Sequence, residues 1–261
     1  MIHPTSLISS KAVLGKNVKI GPFCIIDDNV SLNDDCELIS NVHITGNTII
    51  GKNNKFFPYS SIGTIPQDLK FKGEDSKLII GNNNSFREHV TVNPGTFDGG
   101  MITKINDNCT FMVGSHIAHD CYIGSNVILV NNAILGGHVI IEDNAIIGGN
   151  SAVHQFVKIG KYAMIGGMSG VETNIIPYGL YTGIRDSLRG LNLVGLKRKK
   201  VDSSNIITIN NTFKKIFDKS YSIDKNISMI DKDLLLIAEI KEIVDFISLN
   251  LKRGLCRYKD D

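Results

Sequence analysis

The chain has 261 residues, of which 42% are hydrophobic, and a formal net charge of +2. This near-neutral balance gives no indication of a nucleic-acid partner or of an anionic membrane as a binding surface. No run approaches the roughly 20 apolar residues that span a bilayer, and residues 1–4 lack the basic-then-apolar pattern of a signal peptide. We therefore expect a protein with neither a membrane span nor a secretion signal.

A large apolar residue, here called the anchor, recurs every six positions. The first run is Ile2, Ile8, Leu14, Ile20, Ile26, Leu32, Leu38, Ile44, Ile50, Phe56 and Ile62. The series resumes over residues 80–92 and again over residues 105–171. A small or β-branched residue follows most anchors by four positions. Three such hexads, or 18 residues, predict one turn of a three-sided coil whose stacked turns bury a continuous apolar column.

Glycine often follows the anchor directly. It does so at Gly15, Gly21, Gly51, Gly63, Gly81, Gly124, Gly136, Gly148, Gly160 and Gly166. We expect these glycines to form sharp corners with positive φ, and nearby Asn and Asp to tolerate the same conformation.

Two interruptions break the series. From Ile62 to Ile80 the anchors keep their six-residue spacing, but residues 68–77 are polar. Between Val92 and Ile105 the six-residue spacing is displaced by one position. Both segments, near 68–77 and 94–103, are predicted to be loops that leave the coil. Loops on a rigid scaffold often carry function.

The repeat ends near residue 177, and from about Ser203 apolar residues recur at helical spacing. They are Phe213, Phe217, Leu236, Ile240, Ile243, Ile247 and Leu251. We predict a β-solenoid domain over residues 1–185 and a C-terminal helical domain over residues 186–261. The simplest role of the helices is to cap the end of the coil.

The five cysteines form no CxxC pair. Cys24, Cys36, Cys109 and Cys121 occupy the inward small-residue position, which predicts buried core residues. Cys256, near the end of the chain, is uninformative.

Four of the seven histidines cluster at His116, His119, His138 and His154. Positions 18 apart should stack at about 4.8 Å, the interstrand spacing. Asp120 would then stack under His138, and His119 under Gly137. An imidazole beside a carboxylate and a second imidazole fits a general base, and the bare N–H of a glycine can approach an oxyanion.

Other interpretations of these residues remain open. A polar residue at a solenoid corner is usually solvated surface, and the His116-x2-His119 spacing could hold zinc, as in a carbonic anhydrase class that shares this coil. Members of that class have a shorter coil that lacks the two loops. The basic residues 197–200 are either a solvated turn or a phosphate contact.

Six short segments are distinctive beyond the repeat itself. They are residues 66–70 (Pro-Gln-Asp-Leu-Lys), 117–121 (Ile-Ala-His-Asp-Cys), 131–133 (Asn-Asn-Ala), 136–139 (Gly-Gly-His-Val), 153–156 (Val-His-Gln-Phe) and 195–198 (Gly-Leu-Lys-Arg). These segments resemble the UDP-N-acetylglucosamine acyltransferase family. The resemblance covers the chain from end to end. It implies a left-handed coil, which departs from the usual right-handed crossover.

The resemblance implies catalytic roles for three residues. His119 is the general base on the sugar 3-hydroxyl, Asp120 supports its imidazole, and the Gly137 N–H holds the oxyanion. It also implies substrate-binding residues on both loops and the coil. Asp68 and His138 contact the glucosamine, with His116 and Gln67 nearby. The nucleotide is bound by His154, Gln155, Asn192 and Arg198. Lys70 lies on the pantetheine side, and Gly167 measures acyl length.

The implied activity is direct transfer of a 3-hydroxyacyl chain from acyl carrier protein to UDP-N-acetylglucosamine, the first step of lipid A synthesis. The implied assembly is a cytoplasmic homotrimer with sites between subunits and no metal, redox cofactor or nucleic acid.

The sequence also departs from the family. Asn93 and Arg185 stand where many members have His, and Lys199 where Arg is common. These departures leave open the acyl length and a 3-amino UDP-sugar acceptor. The alternatives are another hexapeptide acyltransferase, such as the later N-acyltransferase of the same pathway, a metal-dependent hydratase, or a non-catalytic solenoid.

Overall fold

The computed structural model describes residues 1–183, 188–249 and 252–258. Arg185, Leu251 and the predicted domain boundary between residues 185 and 186 lie outside the described residues. Within them the chain forms 27 β-strands, four α-helices and two short 3₁₀ helices.

The strands are short, and most contain two residues. They are β1 (Leu7–Ile8), β2 (Val13–Leu14), β3 (Lys19–Ile20), β4 (Ile25–Ile26), β5 (Val30–Leu32), β6 (Glu37–Leu38), β7 (His43–Ile44), β8 (Asn47–Ile50), β9 (Lys55–Phe56), β10 (Ser61–Ile62), β11 (Lys77–Ile80), β12 (Ser85–Phe86), β13 (Thr91–Val92), β14 (Ile102–Ile105), β15 (Thr110–Phe111), β16 (His116–Ile117), β17 (Tyr122–Ile123), β18 (Ile128–Leu129), β19 (Ile134–Leu135), β20 (Ile140–Ile141), β21 (Ile146–Ile147), β22 (Ala152–Val153), β23 (Lys158–Ile159), β24 (Met164–Ile165), β25 (Gly170–Val171), β26 (Gly179–Tyr181) and β27 (Leu188–Leu191).

These strands build three sheets, one on each side of a triangular coil. The first face takes every third strand from β1 to β25, the second every third strand from β2 to β23, and the third β3 to β24 with β26 and β27. All pairs are parallel except β26 with β27. Regular coils pair residues 18 apart, as Ile117 with Leu135. The predicted left-handed parallel β-helix is confirmed.

The anchors form the core of the coil. Phe56, Phe86 and Phe111 are fully buried, and their rings stack in series with centroids 4.8 Å apart. Burying one such apolar side chain contributes about 1.5–3 kcal/mol relative to exposure. All five cysteines are buried and free, which confirms the prediction for the four inward ones. Burial raises the pKa of the Cys121 thiol to about 12, so it is a packing residue rather than a nucleophile.

The corner conformations differ from the expectation for glycine. Of the ten glycines that follow an anchor, only Gly63 has a positive φ, of +83°. The left-handed corner residue instead lies three positions after the anchor and is often Asn, as at Asn126 with φ of +58°. Glycine is needed for a different reason, because a Cβ on Gly21 would lie 1.7 Å from the carbonyl oxygen of Ile39 in the next coil.

Two coils are lengthened by the loops. Ile50 pairs with Ile80, 30 residues on, so the first loop adds two hexads and preserves the phase. Ile80 pairs with Ile105, 25 residues on, so the second adds seven residues and shifts it. The loops run between β10 and β11 and between β13 and β14, and the second contains a 3₁₀ turn at Phe97–Gly99.

The helices follow β27. They are α1 (Leu193–Arg198), α2 (Ser203–Ile216), α3 (Ile223–Ser228) and α4 (Ala238–Ile247), with a 3₁₀ helix at Lys232–Leu236. α4 packs on the last coil, where the Tyr178 hydroxyl donates to Glu242 and Lys161 pairs with the same carboxylate. Residues 252–258 then return to the coil, where Cys256 N donates to Asn174 O at 2.9 Å. No helix among the described residues is long and apolar enough to cross a membrane.

Candidate active site

The candidate site lies at a corner between the first and second faces. His119 and Asp120 follow β16, and Gly137 and His138 follow β19, one coil further along. The corner residues Asp120 and His138 have φ of +59° and +61°, a conformation that Asp and His tolerate better than most residues. The His138 N–H donates to the carbonyl of His119 at 3.0 Å. The stacking predicted from 18-residue spacing is therefore present.

His119 and Asp120 form a close pair. His119 Nδ1 lies 2.7 Å from Asp120 Oδ2, and the Asp120 side chain is only 1% exposed. Thr96 in the second loop holds the same carboxylate, with its N–H donating to Oδ1 at 2.8 Å and its hydroxyl to Oδ2 at 2.6 Å. Because an ionised carboxylate only accepts, the shared proton belongs to His119 Nδ1. Nε2 then carries the lone pair that a general base needs.

Gly137 lies against the His119 ring. A Cβ at this position would come 2.5 Å from His119 Cε1, so no larger residue fits without displacing the imidazole. At the equivalent position of another coil, Ser125 N donates to Asp143 Oδ1 at 2.7 Å. Among the hydrogen bonds of the described residues there is none from Gly137 N–H. This N–H is therefore available to an external acceptor.

Two further histidines flank the pair. His138 stacks on Phe156 with centroids 4.3 Å apart, meets His119 edge-on at 5.1 Å, and has its Nδ1 4.0 Å from Asp120 Oδ2. His116 Nδ1 lies 2.7 Å from the Thr91 hydroxyl oxygen. Burial lowers the pKa of both His116 and His138, and the neighbouring His119 adds to the effect, although the Asp120 carboxylate partly opposes it at His138. Both imidazoles are therefore biased towards the neutral form.

The structure brings six of the predicted residues into one groove of about 440 Å³. They are Gln67, His116, His119, Gly137, His154 and Gln155. Asp68 and Lys70 line an adjoining cavity of about 470 Å³ between the two loops, together with Thr96. Thr96 thus connects the loop cavity to the His119–Asp120 pair.

Three predicted residues lie away from this groove in the same chain. Asn192 and Arg198 line a separate groove of about 690 Å³ over the third face. The Asn192 side chain accepts from Gly195 N and donates to Tyr162 O, both at 2.9 Å, and so begins α1. Gly167 is exposed at the corner between the third and first faces. One chain alone does not gather these residues around His119.

Some residues of the site were not predicted. Thr96 and Thr103 orient Asp120, the latter by accepting from Asp120 N at 2.7 Å. Arg253 reaches His154 from the C-terminal segment. The sequence held one signal for these residues, namely that Thr96 lies in the second predicted loop. Asn93, which departs from the family, is buried, and its side-chain amide donates to Thr64 O at 2.9 Å. This hydrogen bond therefore holds the start of the first loop against Asn93.

The same corner also holds side chains that could bind a metal ion. Among the described residues, only His119, Asp120 and His138 offer three potential ligand atoms within 4.8 Å of one another. His116 is outside this group, so the His116-x2-His119 spacing does not form a tripod. Both Asp120 oxygens already accept from Thr96, and one also accepts from His119. The Asp120 carboxylate thus already uses its oxygens in the hydrogen bonds that orient the His119 imidazole.

Comparison with known proteins decides the family. A model described as Udp N-acetylglucosamine O-acyltransferase, domain 2, matches residues 174–256, and a bacterial transferase hexapeptide model matches residues 102–137. Acyl-[acyl-carrier-protein]--UDP-N-acetylglucosamine O-acyltransferases from Rhizobium johnstonii and Aliarcobacter butzleri are 42% and 46% identical. Each covers 97% of this chain, which in turn covers 93% and 97% of their lengths. The chain belongs to this acyltransferase family.

Solved structures agree with this family. A crystal structure of a UDP-N-acetylglucosamine acyltransferase is 41% identical, with a TM-score of 0.94 and full coverage of both chains. The acyltransferase from Campylobacter jejuni is 36% identical with a TM-score of 0.89, covering 99% of this chain and all of its own. The likeness therefore extends over both loops, the coil and the terminal helices.

Proposed function

We propose that this acyltransferase moves a 3-hydroxyacyl chain from acyl carrier protein to the 3-hydroxyl of UDP-N-acetylglucosamine, as the first step of lipid A synthesis. The observation that carries the proposal is the His119–Asp120 pair beneath the Gly137 N–H, which donates to no residue in the part of the chain that the structure describes. A base and an oxyanion donor on one corner suit direct acyl transfer. The cysteines are buried in the core, so a covalent thiol intermediate has no support.

The proposed reaction proceeds in two steps. His119 Nε2 takes the proton of the sugar 3-hydroxyl as that oxygen attacks the thioester carbonyl, forming the new C–O bond. The Gly137 N–H donates to the resulting oxyanion, and Asp120 stabilises the imidazolium. The intermediate then collapses with cleavage of the C–S bond, and the imidazolium returns its proton to the departing pantetheine thiolate.

We assign the binding residues by their place around this centre. Asp68 and His138 contact the glucosamine, with Gln67 and His116 beside them, and Lys70 lies towards the pantetheine. His154 and Gln155 lie at the other end of the groove and contact the nucleotide. The groove that contains His119 is also lined by Gln67, His116, His154 and Gln155, which supports this arrangement.

We further propose that the enzyme acts as a homotrimer in the cytoplasm. Asn192 and Arg198 lie over the third face, while His119 lies at the corner of the first and second. A neighbouring subunit could supply this basic groove to the His119 corner. A heterologous contact of this kind forms a ring when its rotation closes, as a threefold rotation does, and a ring of three chains would place each site between two subunits.

The decisive experiment is a product assay by mass spectrometry. Purified enzyme is offered 3-hydroxyacyl carrier proteins of several lengths with either UDP-N-acetylglucosamine or its 3-amino analogue. We expect an ester product from the hydroxyl acceptor. An amide formed only from the amino sugar would overturn the acceptor assignment, and no acylated product from either sugar would overturn acyl transfer to UDP-sugars.

A further inference from the structure

The C-terminal segment is fixed against the coil next to the groove. Asn174 donates to the carbonyl of Gly254 through its backbone N at 2.9 Å and through its side-chain amide at 2.6 Å. Gly254 has φ of +64°, which favours glycine and turns the chain directly after Arg253. The position of Arg253 is therefore set by backbone bonds on the residue that follows it.

Arg253 makes two contacts with the groove. Its Nη2 lies 2.7 Å from Nδ1 of His154, and its Nε donates to the carbonyl of Gln155 at 2.9 Å. The planar guanidinium can serve two adjacent acceptors at once, which a lysine does less well. The three residues belong to parts of the chain almost 100 positions apart.

The bond to His154 determines which ring nitrogen carries the proton. His154 Nδ1 lies 2.7 Å from Arg253 Nη2 and 3.3 Å from the carbonyl oxygen of Gln155. Because a guanidinium has only donors and stays protonated, the shorter contact makes Nδ1 the acceptor. The ring proton then lies on Nε2. No hydrogen bond among the described residues uses Nε2, and His154 lines the groove with His119 and Gly137. His154 thus offers an N–H donor to whatever occupies the groove.

The geometry points to Arg253 as a positioning residue that holds His154 with its proton on Nε2, for donation to an acceptor oxygen of the nucleotide sugar. This inference rests on the proposed function, in which His154 and Gln155 contact the nucleotide. Arg253 acts through these two residues and takes no part in the chemical step. Without Arg253, the His154 ring can turn or carry its proton on Nδ1, and the donor is lost.

The test is a double-mutant cycle in the full-length enzyme. Initial rates are measured with UDP-N-acetylglucosamine varied and 3-hydroxyacyl carrier protein saturating, for the parent, R253M, H154A and the double variant. Met keeps an unbranched apolar stem in place of the aliphatic part of the arginine and removes every donor. We expect R253M to raise KM for the sugar nucleotide about 5–10-fold, the loss of one hydrogen bond, with kcat changed less than about 2-fold. Because coupled residues are not additive, removing Arg253 in the H154A background should raise KM much less than it does in the parent, with only the Gln155 contact left to lose.

Two further variants complete the design. R257M removes the other arginine of the same segment and should leave KM and kcat unchanged. R253K retains the charge without the planar fork and should give a KM between those of the parent and R253M, so it carries the test if R253M fails to fold. An unchanged KM in R253M, or multiplied effects in the double variant, would overturn the role of Arg253. A parent enzyme inactive towards UDP-N-acetylglucosamine would overturn the proposed function and this inference together.

Discussion

His119 and Asp120 are adjacent in sequence, yet their side chains meet, with Nδ1 2.7 Å from Oδ2. Neighbouring residues in a strand point to opposite faces. The left-handed conformation of Asp120 turns the chain here and brings its carboxylate back to the imidazole. Thr96 completes the arrangement by donating twice to that carboxylate. The pair is thus built by the corner and secured by the second loop.

From this pair we predict that His119→Ala loses acyl transfer while keeping its fold. Removal of a general base typically costs about 10²–10⁴-fold in rate. The measurement is kcat with both substrates saturating, alongside circular dichroism and size-exclusion chromatography. His3→Ala, an exposed histidine remote from the groove, is the control. A folded His119→Ala enzyme with near-normal turnover would exclude the base role.

How much the sequence predicted depends on the range of the interaction. The hexads set the anchors, and the 18-residue spacing correctly stacked His119 under Gly137. The reason for the glycines was wrong, because periodicity does not reveal how closely the next coil approaches Gly21. The Arg253–His154 contact joins residues 99 apart. No local pattern marks such a pair, since it depends on where the terminal segment meets the coil.

A second prediction is that activity survives exhaustive chelation. His119, Asp120 and His138 could in principle hold a metal ion, but the Asp120 carboxylate already accepts from Thr96 and His119. A metal would have to displace these bonds. Enzyme dialysed against EDTA should keep the parent rate, with metal content followed by elemental analysis. Stoichiometric zinc together with chelator-sensitive activity would support the hydratase alternative instead.

A third prediction concerns stability against pH. Burial lowers the pKa of His138 in the folded protein. When the pH falls below about 6.5, the ordinary pKa of histidine, His138 binds a proton in the unfolded chain more readily than in the folded one. The free energy of unfolding should therefore fall as pH drops from about 6.5 towards the depressed pKa. Thermal unfolding from pH 7.5 to 5 should show this decline, and it should be shallower in His138→Asn, since Asn tolerates the corner φ. An identical slope in both proteins would contradict the assignment.

A fourth prediction tests whether sites lie between subunits. Arg198→Ala should raise KM for the sugar nucleotide if, as we propose, its guanidinium makes a charge-assisted contact with the nucleotide phosphate. If Arg198 and His119 of one site come from different chains, mixed trimers of His119→Ala and Arg198→Ala subunits should regain intact sites, about one quarter of the total in a random equal mixture. The rate is measured at sugar concentrations well below the KM of Arg198→Ala. No recovery above the two separate variants would place both residues in one chain's site.

The last prediction is that Gly167→Met shifts the enzyme towards shorter acyl chains. Gly167 is exposed at a corner, and a Cβ added there would meet only Gly149, with its carbonyl oxygen 3.2 Å away. The corner is therefore bare backbone, along which the end of a long 3-hydroxyacyl chain could lie. Each buried methylene contributes about 0.8 kcal/mol, so the parent should prefer a long chain.

A methionine at this corner would occupy the space of the terminal methylenes, and forcing a long chain past it would cost roughly 1–3 kcal/mol. The measurement is relative kcat/KM across carrier-protein donors of several lengths, for the parent and Gly167→Met. The neighbouring Met168 is 68% exposed, and Met168→Ala serves as the control for a general change at the corner. The acyl length with the highest kcat/KM should become shorter in Gly167→Met but not in Met168→Ala, because only the first substitution adds bulk at the corner. If the variant keeps the parent's chain-length profile, the acyl chain ends somewhere other than Gly167.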